Sequence, residues 1–299
     1  VLTIRPAETD EDLEAWRRVR LAVLPYERCS TVAEIRRSVR PGQLLLLAEL
    51  DGVLAGHGIT APSDIAGRAS IAPRVLPGFR RRGVGTALLR ALAGHAYAEL
   101  GFRQVRALVD DPESMGFATR FGFAEIDRQV EQVRAIGTEP RPQAPAGVEI
   151  VSIAQRPDLW PRAYADVAAA AVHDMALEGD FQVTLEQWEA DWINAPQASF
   201  VALTREPDEL VVGLASLLLD KDVPDRAEHG FTAVRRDHRG RGIASALKRQ
   251  TLWWAAEHGI TEVYTWTQRG NEDMRRLNEH LGFGYRTISV TAERELPIV

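Results

Sequence analysis

The chain has 299 residues, 45% hydrophobic and 26% charged, with 36 basic against 42 acidic side chains and a net charge of −6. This is the composition of a globular protein, and the acidic balance argues against sequence-independent nucleic-acid binding, which depends on neutralising phosphates. The apolar runs at Leu44–Ala48 and Leu214–Leu219 fall well short of the roughly 20 residues a membrane helix needs; the single cysteine, Cys29, excludes an intramolecular disulfide and fits a reducing cytoplasm, and the scattered histidines show no metal-ligand spacing.

The opening VLTIRPAETDEDLEAW reads as a strand around Ile4 followed by an acidic helix start rather than a secretory signal. Apolar strands follow at 43–50 and 53–60, joined by Asp51–Gly52, a strong tight-hairpin signal. A further strand, 68–76, leads into the turn GFRRRGVG, and Val84, Ala87, Leu88, Ala91 and Leu92 then trace one face of a helix. A strand at 104–109 precedes a short helix that Asp111 caps, with Pro112 in its first turn and Gly122 just past its end. The proline- and glycine-rich GTEPRPQAPAG, 137–147, reads as a linker.

Beyond the linker the same order returns. A strand at 148–153, a helix over 160–172, and strands at 199–204 and 211–219 lead to a strand at 227–234 and the turn RRDHRGRGIASALK. Ile243, Ala246, Leu247 and Trp254 mark the next helix, then a strand at 262–267 and a short helix that Asn271 can cap and Gly282 can close. Arg80 matches Arg239, Gly83 matches Gly242 and Gly85 matches Ala244, each 159 positions on. A repeat of that length is a duplicated domain. The expected division is therefore 1–136, the linker 137–147, and 148–299, each half a mixed α/β domain with a central, mostly antiparallel sheet flanked by helices. The tryptophans, Trp188, Trp192, Trp253 and Trp254 among them, read mainly as core.

The two glycine turns have a common physical meaning. A strand ends, small residues let the backbone turn tightly, and a helix begins whose first amides have no internal partner. The helix dipole places partial positive charge there, and the arginines add more, so the turn is an anion site for a phosphate or pyrophosphate. No GK[ST] follows, and neither copy has the third glycine of a dinucleotide fingerprint.

RGRGIA at Arg239–Ala244 and RRRGVG at Arg80–Gly85, each between a strand and a helix and each followed by a helix ending in Gly-Phe (FATRFGF and NEHLGF), resemble the GNAT superfamily of N-acetyltransferases. The resemblance covers both halves and implies a tandem GNAT protein that binds the pyrophosphate of acetyl-coenzyme A. In the C-terminal half it places the pyrophosphate at Arg239, Gly240, Arg241, Gly242, Ile243 and Ala244, and the pantetheine arm along Thr232–Val234. The N-terminal counterparts are Arg74–Leu76 and Arg80, Arg81, Arg82, Gly83, Val84 and Gly85. Asn271 reads equally as a polar group near the cofactor or as a plain helix cap.

Acetyl transfer to an amine needs a base, a donor for the developing oxyanion and a route out for the thiolate. The resemblance implies a backbone amide near Val234 as the donor and a base on the same strand: Glu228 first, His229 second, with the two side chains on opposite faces. At the position where many relatives have a tyrosine acid, this chain has Asn278 in one copy and Ala118 in the other, neither with a proton to give. A thiol leaves as thiolate at modest cost, and water or Tyr285 can take the role. Asp174, Glu178 and Asp180 form an acidic segment suited to a cationic amine. The resulting expectation is a cytoplasmic enzyme that acetylates a small-molecule amine directly, with the C-terminal half catalytic, the N-terminal half a degenerate or cofactor-binding partner, and no metal, nucleic acid or membrane involved; the sequence does not address oligomeric state. The alternatives are a non-catalytic acyl-coenzyme A binding or sensing protein, an acetyltransferase acting on a protein N-terminus or lysine, and an aminoacyl transferase drawing on transfer RNA.

Overall fold

Thr9, Thr31 and Thr184 each accept a backbone N–H three residues on, and Asp12, Glu34 and Gln187 reach back to the cap, so three helices begin at reciprocal capping boxes. A computed structural model describes residues 1–173, 184–205 and 208–298, and it divides the chain into two units, Val1–Arg128 with Ile288–Val299, and Gln129–Thr287.

In chain order the elements are β1 (Leu2–Pro6), α1 (Asp10–Val23), α2 (Val32–Arg37), β2 (Leu44–Leu50), β3 (Val53–Pro62), β4 (Ala69–Val75), α3 (Val84–Ala98), β5 (Gln104–Val109), α4 (Pro112–Arg120) and β6 (Ala124–Ala135). Then come β7 (Val148–Ser152), α5 (Leu159–Ala163), a π-helical turn at Tyr164–Ala168, α6 (Ala169–His173), α7 (Leu185–Trp192), β8 (Ser199–Thr204), β9 (Leu210–Leu219), β10 (Arg226–Val234), α8 (Ile243–Glu257), β11 (Glu262–Gln268), α9 (Glu272–His280) and β12 (Gly284–Glu295). The first unit's sheet runs β1-β2-β3-β4-β5-β12 and the second's runs β6-β11-β10-β9-β8-β7. In each, one neighbouring pair is parallel, β4 with β5 and β10 with β11, and the other pairs are antiparallel.

Each sheet buries both faces. In the first unit α3 places Val84, Leu88, Leu89 and Leu92 on one side, while α1 and α2 bring Leu13, Trp16 and Ile35 to the other. In the second, α8 contributes Ile243, Leu247 and Leu252 to one core, and Trp160 and Trp188 stack in the other with ring centroids 4.2 Å apart. Trp188 and Trp254 are thus core residues as expected, and Trp192 packs partly buried against that second core.

The unit boundaries differ from a cut at 137–147. Residues 129–135 of β6 pair with β11, and Val290–Glu295 of β12 pair with β5, so each sheet is finished by the strand that follows the other copy's closing helix. Buried groups hold both exchanges. In the second unit Glu131, fully buried, accepts from Arg286 at 2.5 and 2.8 Å, and Gln132 accepts from Asn278 Nδ2 at 2.9 Å. In the first, Arg106 donates to Glu293 at 2.7 Å. A duplicated chain offers either closing strand to either sheet edge, and internal pairing satisfies the same backbone groups both ways.

Candidate active site

The site in each unit begins with a parallel pair that separates. In the second unit β10 and β11 are paired at Arg226–Glu262, Ala227–Val263 and Glu228–Tyr264, where the register ends although β10 continues to Val234. A bulge between His229 and Thr232 shifts β10 against β9. In the first unit the parallel register covers Ala69–Val105 and Ser70–Arg106, and β4 continues to Val75. A wedge opens above the last rung in each case.

The inner edge of that wedge is backbone. Arg235 N–H donates to Val212 and Leu76 N–H to Ala55, so by strand alternation Val234 and Thr232, and Val75 and Pro73, direct their main-chain groups into the wedge. Val234 is the residue expected to supply the amide donor, and its carbonyl already accepts Arg239 Nε at 3.0 Å. The first unit's edge is poorer by one donor, because Pro73 has no N–H.

Above each wedge lies the glycine turn. Gly83 and Gly242 are the residues before α3 and α8, in left-handed conformation at φ +86° and +77°, and neither helix start has a side-chain cap. Their first amides therefore point outward, as an anion site requires. Val84 and Ile243 are buried and contribute only backbone. Around the turns Arg80 reaches Glu113 at 3.1 Å, Arg82 lies 3.8 Å from Asp51, and Arg241 donates to the Asp237 carbonyl at 3.2 Å. The position of Gly240 (φ +74°) is held in the first unit by Arg81 at φ +61°, a conformation costly for a side chain.

At the acyl end of the second wedge, Glu228 is half-buried on the last parallel rung and accepts from Tyr264 Oη at 3.4 Å. His229 is buried; its Nε2 lies 3.0 Å from Thr251 Oγ1 of α8 and its Nδ1 3.4 Å from Thr232 Oγ1. Burial, with Lys248 nearby, holds its pKa well below the usual imidazole value, so it stays neutral. Lys248, which the sequence reading passed over, is buried beside Phe283 and desolvation lowers its pKa to about 7. Asn278 is fully buried with its amide donated to Gln132, which makes it a clamp on the exchanged strand and not a group facing a leaving thiolate. Asn271 caps α9, accepting Met274 N–H at 3.4 Å. Asp174, Glu178 and Asp180 lie outside the described residues.

The first unit encloses a cleft of about 890 Å³ running from the glycine turn, past β4 and β5, to the end of α1. Ser70 stands where the second unit has Glu228, and its hydroxyl donates to the Ala61 carbonyl at 3.3 Å. Ala118 lines the cleft, as do Tyr26 and Asp110, which sequence reasoning missed, and Arg74, which it placed only as part of the strand along the pantetheine arm. Burial, aided by Arg20, lowers Arg74 to about 10; burial raises Asp110 from its ordinary value and Tyr26 to about 12. Arg74 was visible as one charged residue in the strand ASIAPRV, but nothing local showed that its side chain would be enclosed.

A splayed parallel pair beneath an uncapped, glycine-led helix is present twice. The chain belongs to the acetyltransferase (GNAT) family, whose model matches residues 7–123 and 169–283, and it is an acyltransferase with two copies of that domain. Relatives include the mycothiol acetyltransferase of Thermomonospora curvata, 29% identical over 258 residues covering 84% of this chain and 82% of the relative. That of Salinispora arenicola is 25% identical over 269 residues, 88% of this chain and 85% of the relative. Among solved structures, a GCN5-related N-acetyltransferase from Sphaerobacter thermophilus superposes with a TM-score of 0.75 at 19% identity, covering 100% of this chain and 97% of that one. A tandem GNAT protein from the clavulanic acid biosynthesis pathway, without AcCoA, gives 0.73 at 21% identity, with 99% and 98% covered. Among the described residues no helix is long and apolar enough to cross a membrane.

Proposed function

We propose that the chain moves an acetyl group from acetyl-coenzyme A to an amine of a small molecule by direct attack, and that the C-terminal unit does the chemistry. The observation that carries this reading is Glu228, a carboxylate on the last rung before β10 and β11 part, with Val234 further along the same wedge edge. Glu228 takes the proton from the ammonium, and the freed amine attacks the thioester carbon. Val234 N–H donates to the carbonyl oxygen as it gains charge. As the C–N bond completes, the attacking nitrogen gives its second proton to water, the C–S bond breaks, and coenzyme A leaves as thiolate and takes a proton from water; Tyr285 is exposed and its hydroxyl is engaged by Glu279. Cys29 is 2% exposed in the first unit, which supports transfer without an acetyl-enzyme, and Cys29→Ser should leave turnover within a few-fold. The acceptor class rests on the relatives named for mycothiol, which support a small molecule from that chemistry. Coenzyme A release measured across a panel of small-molecule amines, mycothiol-related amines included, tests the reading; no amine-dependent release above background hydrolysis would sink it.

A further inference from the structure

The charged groups lining the N-terminal cleft fall into two sets. Most are engaged: Arg80 with Glu113, Asp111 as the cap of α4 accepting Ser114 N–H at 2.9 Å, and Arg120 over the rings of Phe117 and Phe121 at 5.4 and 5.3 Å. Just behind the wall, Arg20 pairs with Glu27 at 2.5 Å. Arg81 lies exposed at the turn; Arg74 and Asp110 are the exceptions that the cleft partly encloses. Arg74, from β4, makes no hydrogen bond or ion pair among the described residues, although it is half-buried beside Arg20 and opposite His57, which is fully buried and neutral. Asp110, just past β5, has the Ser289 hydroxyl beside it and, among the described residues, no cation in contact, although Arg74 lines the same cleft and attracts it. Tyr26 lines the cleft with them and keeps its hydroxyl proton at neutral pH.

A half-buried guanidinium without a counterion is costly to keep, and its flat fork of donors fits a carboxylate. A carboxylate without a cation in the same enclosure calls for an ammonium. No ion pair joins the two groups among the described residues, although each attracts the other, so a ligand carrying both complementary charges brings a direct partner to each, and a ligand carrying one leaves the other without one. The cleft is of the size that takes small molecules.

We propose that the N-terminal unit binds an amino acid, its carboxylate on Arg74 and its ammonium on Asp110, with the Tyr26 hydroxyl donating to the carboxylate. The site is separate from Glu228 and stands or falls independently of which unit performs acetyl transfer.

Titration calorimetry of the full chain, saturated with coenzyme A, against the set of free L-α-amino acids tests it. At least one should bind with one-to-one stoichiometry, and the matching amino acid amide and N-acetyl amino acid, each lacking one charge, should bind about tenfold more weakly or worse. Arg74→Gln and Asp110→Asn should each weaken binding to a similar degree, whereas Glu228→Gln should leave it unchanged. Arg74→Gln should also melt at or above the wild-type temperature, because it removes a half-buried cation that has no ion pair among the described residues. No amino acid binding at millimolar concentration, or an amide binding as well as its acid, overturns the proposal, and the amide comparison uses the wild-type protein and does not depend on any variant folding.

Discussion

The two units carry the same frame and differ in where the charge sits. In the C-terminal unit the last parallel rung holds Glu228, the strand above it is bulged, and the wedge edge offers both Val234 and Thr232. In the N-terminal unit that rung holds Ser70, β4 pairs with β3 in unbroken register from Gly56–Val75 to Pro62–Ala69, and Pro73 removes one edge donor. Its ionisable groups lie further up, at Arg74 and Asp110. Duplication supplied two glycine turns on one frame, and a few side chains on the strands beneath them separate the proposed base of one unit from the proposed ligand charges of the other.

The largest expected effect tests the base. Glu228→Gln should lower kcat by about 10²–10⁴ with little change in KM for the amine, since a positioned base acts in the transition state. Ser70→Ala, the equivalent change in the other unit, should leave kcat within about twofold. Steady-state kinetics on the two variants decides, and the opposite ranking would move the chemistry to the N-terminal unit.

Next come the turns. Gly242→Glu sets a carboxylate where the pyrophosphate must sit and places a side chain at φ +77°, so KM for acetyl-coenzyme A should rise by about 100-fold or more. Gly83→Glu, strained in the same way at φ +86°, should leave most of the turnover and reduce the stoichiometry from two cofactors per chain to one by titration calorimetry. Two cofactors bound to the Gly83→Glu protein would mean that the first turn is not a cofactor site.

The repeat, both turns, the Glu228 position and the caps at Asp111 and Asn271 were legible because each depends on local chemistry: helix starts, glycine conformation and strand alternation. The exchange of closing strands was not, because QVEQVRA and SVTAERE alternate in the same way and either edge would accept either strand. The burial of Asn278 was not legible for a related reason. Its place in the helix aligned with an acid, while its burial against Gln132 depends on a strand 146 residues earlier. The Arg74 side chain and Asp110 were not read as site groups because charged side chains normally face water, and only the tertiary fold encloses these two.

A third contrast lies on the helices beneath the turns. Lys248 of α8 is buried where α3 has Leu89, and its pKa falls to about 7 against roughly 10.4 in the unfolded chain. Between those values the unfolded state binds the extra proton, so stability should rise with pH from about 7 toward 10, by at most about 1.4 kcal/mol per unit. Lys248→Met removes that slope and should stabilise the C-terminal unit at pH 7 and below. Denaturant melts at pH 7 and pH 9 for both proteins measure it; an equal slope in the variant would mean that the ammonium finds solvent or a counterion.

The smallest effect concerns the turn itself. Arg81 holds φ +61° where its counterpart is Gly240 at +74°, so the N-terminal turn keeps a side chain in a conformation that disfavours one. Arg81→Gly relieves that strain but gives the unfolded chain more freedom, and the two oppose each other. A left-handed residue costs about 1–2 kcal/mol with a side chain and glycine loses about 0.5–1 kcal/mol of that in entropy, so a net gain of about 0.5–1 kcal/mol is expected. Gly240→Arg, the mirror change, should lose a similar amount. If Arg81→Gly stabilises the chain but weakens acetyl-coenzyme A binding at the first turn, the guanidinium is a phosphate ligand whose position justifies the strain. If stability rises and both binding events are unchanged, Arg81 is a residue the N-terminal turn tolerates, and its anion site consists of backbone with Arg80 and Arg82.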